Sequence, residues 1–312
     1  GKCGGRLPGR RLRIPAQALR RGPGRGAGAA RHRGERPPGD IENLVEYGNV
    51  TAEQRLASMR EMQPTTGLGE TYQYSNLMVA AGGFAAAHAW APTLGLNEAY
   101  VKAMDAVVFA PLGMRKSTAD FTKATAQPHA TPHALDLDGQ LQPLPIGYEG
   151  NVVPIAPAGA VWSTLHDMEQ YAMAELSKGR SPLDGKRVVS ETNYLERARP
   201  RTKHGYGLGI GVEQHLGLTI LGHDGGSDGF GTSLLLFPDL QLGLVVLTNA
   251  RNGSPQEQLP FNAATKRKLM ELLFDGARPI AGSMITFALQ MRRLHARQQG
   301  EGVERKPDPA WL

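Results

Sequence analysis

From Tyr206 onward the chain reads as four short apolar stretches separated by turn residues. They are Tyr206–Val212, Leu218–Leu221, Thr232–Phe237 and Leu242–Leu247, with Gly, Asp and Pro-Asp between them. The connections are too short for the crossover helix that parallel strands need. The pattern therefore predicts an antiparallel meander, sequential strands lying side by side. Whatever else the chain builds has to pack on that sheet.

The residues before it are helical in character. Thr51 to Met62 carries Leu56, Met59 and Met62 at helical spacing. Pro64 to Gly69 is a turn-rich break, and Leu77 to Trp90 is a long Ala- and Met-rich run. That run reads as a buried helix with Ser75 or Asn76 as its N-cap. A further helix is expected over Leu96–Phe109, closing at Pro111-Leu112-Gly113-Met114. Residues 118–158 hold several prolines and no lasting period, so they read as loop. Ser163-Thr164 opens another helix through Leu176, in which an ordinary helix position and a functional role for His166 stay equally open. Ser254-Pro255-Gln256-Glu257 has the form of a capping box with Pro in the first turn, opening a last helix that ends near Phe274. Helices in the middle, antiparallel strands after them and a covering helix at the end make an α+β fold, a sheet domain joined to a helical one.

Net charge misleads unless it is divided. Residues 1–38 hold ten Arg and one Lys against the single acid Glu35, so the chain's +6 resides in this arm and the body is mildly acidic. The arm has no Phe, Trp or Tyr and cannot bury enough apolar surface to offset its ordering entropy. Three readings stay open: a solvated tail, a nucleic-acid-binding arm, or GC-rich coding sequence read out of frame or from a wrong start. The arm lacks aromatic platforms and a folded reader beside it, so no nucleic-acid partner is expected. No apolar run approaches a membrane span and no secretory signal is recognisable, which leaves localisation open. One cysteine, Cys3, excludes an internal disulfide and a cysteine-rich zinc site. His129 and His133 are four apart, but Pro128 and Pro132 argue against a helix carrying them, and no metal or cofactor is expected.

Two short patterns carry chemistry. In Tyr74-Ser75-Asn76 a tyrosine stands where a turn enters a helix, whose N-terminal partial charge favours phenolate. Free tyrosine has a pKa of about 10, so a base near neutrality needs a cation as well. Asn76 offers one acceptor and two donors to a substrate amide. In His223-Asp224-Gly225-Gly226 the glycines free the backbone for close approach by a ligand, and their N–H groups suit an oxyanion. Each pattern alone has an ordinary structural explanation, a packed tyrosine beside an Asn cap or a hairpin turn.

Taken in order with their surroundings, they resemble the serine β-lactamase, D,D-peptidase and esterase family of the class C type. The resemblance runs through Tyr72-Gln73-Tyr74-Ser75-Asn76-Leu77, Phe109-Ala110-Pro111-Leu112-Gly113-Met114 and Pro157-Ala158-Gly159-Ala160-Val161-Trp162-Ser163-Thr164. It continues in Tyr206-Gly207-Leu208-Gly209, Gly222-His223-Asp224-Gly225-Gly226 and Leu244-Val245-Val246-Leu247-Thr248-Asn249, covering residues 40 to 275. It implies a β-lactamase/transpeptidase-like fold and hydrolysis of an amide, β-lactam or ester through an acyl-enzyme, on a small-molecule or peptide substrate. It implies that Tyr74 is the general base and acid and that Asn76 holds the substrate amide. It implies that His223 stands in for a cationic strand residue, and that Gly225 and Gly226 shape the oxyanion side, Gly226 N–H supplying half the hole. Family members are often periplasmic or secreted.

The family's Ser-x-x-Lys is absent. No serine of the chain has Lys three residues later: Ser58 is followed by Glu61, Ser163 by His166, Ser177 by Arg180 and Ser283 by Thr286. Gly225-Gly226-Ser227-Asp228-Gly229 matches a nucleophile elbow, but a strand is expected after it where that motif needs a helix. The expectation is a homologue lacking the first strands and the nucleophile helix, and inactive for want of them. A non-catalytic ligand- or protein-binding relative is the alternative. The expected layout is a basic segment 1–38, an incomplete domain 39–275, and a helical linker 276–312. In that linker Pro307-Asp308-Pro309-Ala310-Trp311-Leu312 resembles the start of a small β domain that some members append.

Overall fold

A capping box starts the first helix. Thr51 Oγ1 accepts from Gln54 N at 3.2 Å while Gln54 Oε1 accepts from Thr51 N at 2.8 Å, and α1 runs Ala52–Ser58 before tightening into a 3₁₀ turn at Met59–Glu61. The computed structural model describes residues 50–63, 72–136, 140–201, 205–215, 217–250 and 261–273, all within the unit Asp40–Leu312. The expectations for residues 1–38, Pro64–Gly69, Ser254–Glu257 and 276–312 lie outside the described residues.

Ser75 caps α2, Asn76–Trp90, by accepting from Met78 N at 3.2 Å. This helix is buried on one face only: Leu77, Ala80, Phe84 and Ala87 are inside, whereas Met78, Val79 and Trp90 are exposed. α3, Leu96–Met104, continues through a π-helical stretch, Asp105–Phe109, into a final turn, Ala110–Leu112, and ends at Gly113 with φ +75°. The left-handed conformation favours glycine there. α2 and α3 meet on small residues, with Ala80, Ala87, Ala99 and Ala103 buried and Phe84 edge-on to Tyr100 at 6.1 Å. A Cβ at Gly83 would stand 2.3 Å from Pro157 Cβ, so the helix lies directly on the segment Ile146–Ala158.

Residues 118–158 hold more structure than their prolines suggest. They form α4, Phe121–Thr125, the hairpin β1 His133–Leu135 with β2 Leu141–Pro143, and the 3₁₀ turns of 146–158. α5, Leu165–Leu176, is capped by Thr164, and α6, Glu191–Arg197, by Ser190. His166 is exposed on the first turn of α5. Asp167, 1% exposed, ties α5 to the segment after α3 by accepting from Lys116 N at 2.7 Å and Ser117 Oγ at 2.8 Å.

The sheet is a meander of β3 Gly211–His215, β4 Leu218–Gly226, β5 Gly231–Phe237 and β6 Leu242–Thr248, antiparallel throughout in the order β3-β4-β5-β6. The expected first strand began too early. Tyr206 makes only an isolated bridge to Gly211, and positive φ at Gly205 and Gly209 curls this stretch into a loop. Leu221, His223 and Gly225 share one face of β4, aligned with Leu236, Leu234 and Thr232 of β5. That face packs on α5, where Ala172 and Leu176 meet Val212, Leu221 and Leu236. On the other face Asp224 bonds Ser233 Oγ at 2.7 Å and Lys266 Nζ at 2.5 and 2.6 Å. Lys266 belongs to α7, Phe261–Leu273, which covers that side. The result is an α+β architecture with a helix on each face of the sheet and a helical lobe beside it.

Asp167→Ala takes the acceptor from Lys116 N–H and leaves the Ser117 hydroxyl only Ser163 Oγ, 2.8 Å away. The expected loss is about 1–3 kcal/mol of unfolding free energy per unsatisfied group, read from denaturant melts.

Candidate functional site

The two motifs meet in space through a third residue. Tyr74 lies just before the cap of α2, 44% exposed. Its ring centroid is 6.2 Å from the His223 ring and 6.1 Å, edge-on, from Tyr206. Tyr206 also stacks obliquely on Tyr72 at 5.5 Å. Its hydroxyl is 2.8 Å from His223 Nε2. Burial pushes Tyr206 up to about 12, with a further push from the charges of ionised Tyr74 and Tyr72; burial also raises Tyr72. Asn76 opens α2 two residues beyond Tyr74 and is half-buried.

The backbone around Tyr206 is tightly tied. Its carbonyl accepts from Arg201 N at 2.8 Å, Gly207 N donates to Ile210 O at 2.8 Å, and Leu208 N donates to Arg197 O at 2.9 Å. A Cβ at Gly207 would stand 2.3 Å from Arg197 O, so glycine is required by proximity. The sequence placed Tyr206 in a strand and gave it no role. Its signal was a tyrosine between two glycines, and nothing in that spacing points to His223.

The glycine end of β4 is fastened from the other side. Gly225 faces Thr232, whose Oγ1 would be 2.4 Å from an added Cβ, and Gly226 pairs with Gly231. Ser227 to Phe230 form the hairpin turn that follows. Glu149, 3% exposed, accepts from Gly229 N at 2.6 Å, His133 N donates to Gly229 O at 3.2 Å, and Asn151 Nδ2 donates to Asp228 Oδ2 at 3.3 Å. Trp162 packs edge-on against Phe230 at 5.6 Å. Ser227 therefore sits in a turn between two strands, without the helix a nucleophile elbow requires. Among the described residues no three His, Cys, Asp or Glu side chains gather as they would around a metal ion, and no helix is long and apolar enough to cross a membrane.

A family model described as Beta-lactamase matches residues 27–266. The chain belongs to the beta-lactamase family. An unguisins hydrolase of Aspergillus campestris is 27% identical over 212 residues, 64% of this chain and 37% of that protein. The fold resembles that of the octameric penicillin-binding protein homologue from Pyrococcus abyssi, with TM-score 0.55 and 19% identity over 72% of this chain and 52% of that one. It also resembles the D-amino acid amidase from Ochrobactrum anthropi SV3, with TM-score 0.55 and 16% identity over 73% and 66%. The chain thus spans about half or less of the length of the first two. The β-lactamase/transpeptidase-like fold expected from the motif order is the fold observed, and the chain is a homologue of serine hydrolases.

Two outcomes are expected from this geometry. Glu149→Ala removes the acceptor of a buried amide, so hydrogen exchange at Gly229 should quicken, by a local loss of about 1–3 kcal/mol, before global stability changes comparably. Tyr100, Tyr194 and Tyr206 are all raised to about 12, chiefly by burial. The folded state holds their protons more tightly than the unfolded chain does. Their contribution is therefore complete below pH about 10 and is lost as pH rises towards 12. Melts across that window, with phenolate absorbance followed alongside, should show stability falling as late-ionising tyrosines titrate.

Proposed function

We propose that Tyr74, Asn76, His223, Gly225 and Gly226 line the acid–base and substrate-holding side of a β-lactamase-type hydrolase cleft for an amide, β-lactam or ester. The observation that carries this reading is the convergence of Tyr74 and His223, 149 positions apart in sequence, on one cluster of rings. In this reading Tyr74 takes the proton of an attacking hydroxyl and returns it to the departing amine or alkoxide. Asn76, at the start of α2, offers donors and an acceptor to the scissile amide. The Gly226 N–H serves the oxyanion, and Gly225 keeps the strand flat enough for close approach. The membership of the family and the hydrolase name of the fungal relative support the class of reaction.

Residues 1–312 carry no Ser-x-x-Lys, so on their own they lack both the acylated serine and the cation that lowers the tyrosine's pKa. We infer that this chain alone forms no acyl-enzyme and catalyses at most residually through binding. The chain should show no burst with a chromogenic β-lactam, a p-nitrophenyl ester or a D-amino acid p-nitroanilide, and no labelling by a fluorophosphonate probe. Turnover that disappears in Tyr74→Phe would overturn inactivity. Saturable binding of an N-acyl-D-amino acid amide, with resonance shifts at Tyr74 and His223 and no turnover, would favour a ligand-binding relative.

A further inference from the structure

The neighbours of His223 decide which of its nitrogens carries the proton. Nδ1 lies 2.6 Å from the Asp224 carbonyl oxygen. A carbonyl has no hydrogen to give, so Nδ1 is the donor. A neutral imidazole with its proton there presents a bare Nε2, and the Tyr206 hydroxyl stands 2.8 Å from that atom. We infer that Tyr206 is a positioning residue, donating to Nε2 and holding His223 as the neutral Nδ1–H tautomer with its tyrosine-facing nitrogen capped by a phenol proton.

Three further observations agree. The tied backbone of residues 205–210 places the Tyr206 ring without help from its hydroxyl. Burial keeps that phenol protonated and able to donate well above neutrality. The carboxylate next in sequence, Asp224, is turned to the opposite face, where Ser233 and Lys266 hold it. Among the described residues, the groups placed around the imidazole are Tyr74 from the segment before α2, Tyr206 from the loop before β3, Leu234 on β5 and the backbone of its own strand. None of these is a carboxylate. On the hydrolase reading above, this wall of the cleft would orient Tyr74 and a substrate by shape and hydrogen bonding, where a lysine in the same place would supply positive charge. The tautomer itself does not depend on that reading.

The test is long-range ¹H–¹⁵N spectroscopy of the whole chain labelled at histidine, at about pH 8, above the ordinary histidine range. His223→Gln assigns the resonances by their loss. We expect a protonated, pyrrole-type Nδ1 and a pyridine-type Nε2 displaced upfield by its hydrogen bond. In Tyr206→Phe the Nε2 resonance should move downfield towards a bare nitrogen. Replacing tyrosine with 3-fluorotyrosine, a more acidic phenol, should move it further upfield, which keeps the test open if the phenylalanine variant fails to fold. A proton on Nε2, protons on both nitrogens, or an Nε2 shift indifferent to both replacements would overturn the inference. Absence of hydrolytic turnover would leave it standing.

Discussion

The register of β4 against β5 is the constraint on which the rest of the structure depends. Pairing Leu221 with Leu236 and His223 with Leu234 sends the imidazole to the face that packs on α5 and sends Asp224 to the face covered by α7. The side-chain period of a strand is two, so a slip of one residue would exchange them. Asp224 would then lie near the tyrosines, His223 would face Lys266, and buried Leu221 would lose its place against Ala172. Apolar packing on one face and a charge-assisted bond on the other therefore specify the same register. The placement of the candidate site follows from it.

Much of this was legible because it is local. Thr51, Ser75 and Thr164 announce helix starts through bonds to amides three residues away, and the structure has those bonds. The meander follows from short apolar runs between turn residues, with no long-range information needed. Failures arise where distant contacts override local pattern. Tyr206 to Ile210 looks like strand, but Gly205 and Gly209 take positive φ while Leu208 bonds back to Arg197. Residues 118–158 look formless because their elements are three- to five-residue pieces, some held by neighbours as His133 is by Gly229, and a kinked, proline-interrupted 3₁₀ run at Ile146–Ala158.

The same division runs through the candidate site. Tyr74, Asn76, His223 and the two glycines are candidates that motif order singles out. Tyr206, which meets His223, and Glu149, which holds the turn after β4 at Gly229, are not. A residue that acts by fixing another needs only to arrive at the right distance, and no spacing in the chain encodes that. Family membership explains why the motif order was so informative: it carries a remembered geometry that composition and periodicity do not hold. The absence of Ser-x-x-Lys from residues 1–312 is equally local, and the inactivity proposed for this chain alone rests on it.

The π-helical stretch at Asp105–Phe109 has a consequence for how the helical lobe can change. Residues Ala99, Tyr100 and Ala103 before it serve the core shared with α2, whereas Phe109 at its end and Leu112 after it join Met114 and Ala174 in a separate cluster beside α5. A regular helix advances about 100° per residue, so the wider turn works as a phase shifter between two hydrophobic stripes. One continuous rod can then face two cores that are not in line. Its length is fixed by both: removing a residue from the rod while the wide turn persists would swing one stripe by about 100° away from its partners.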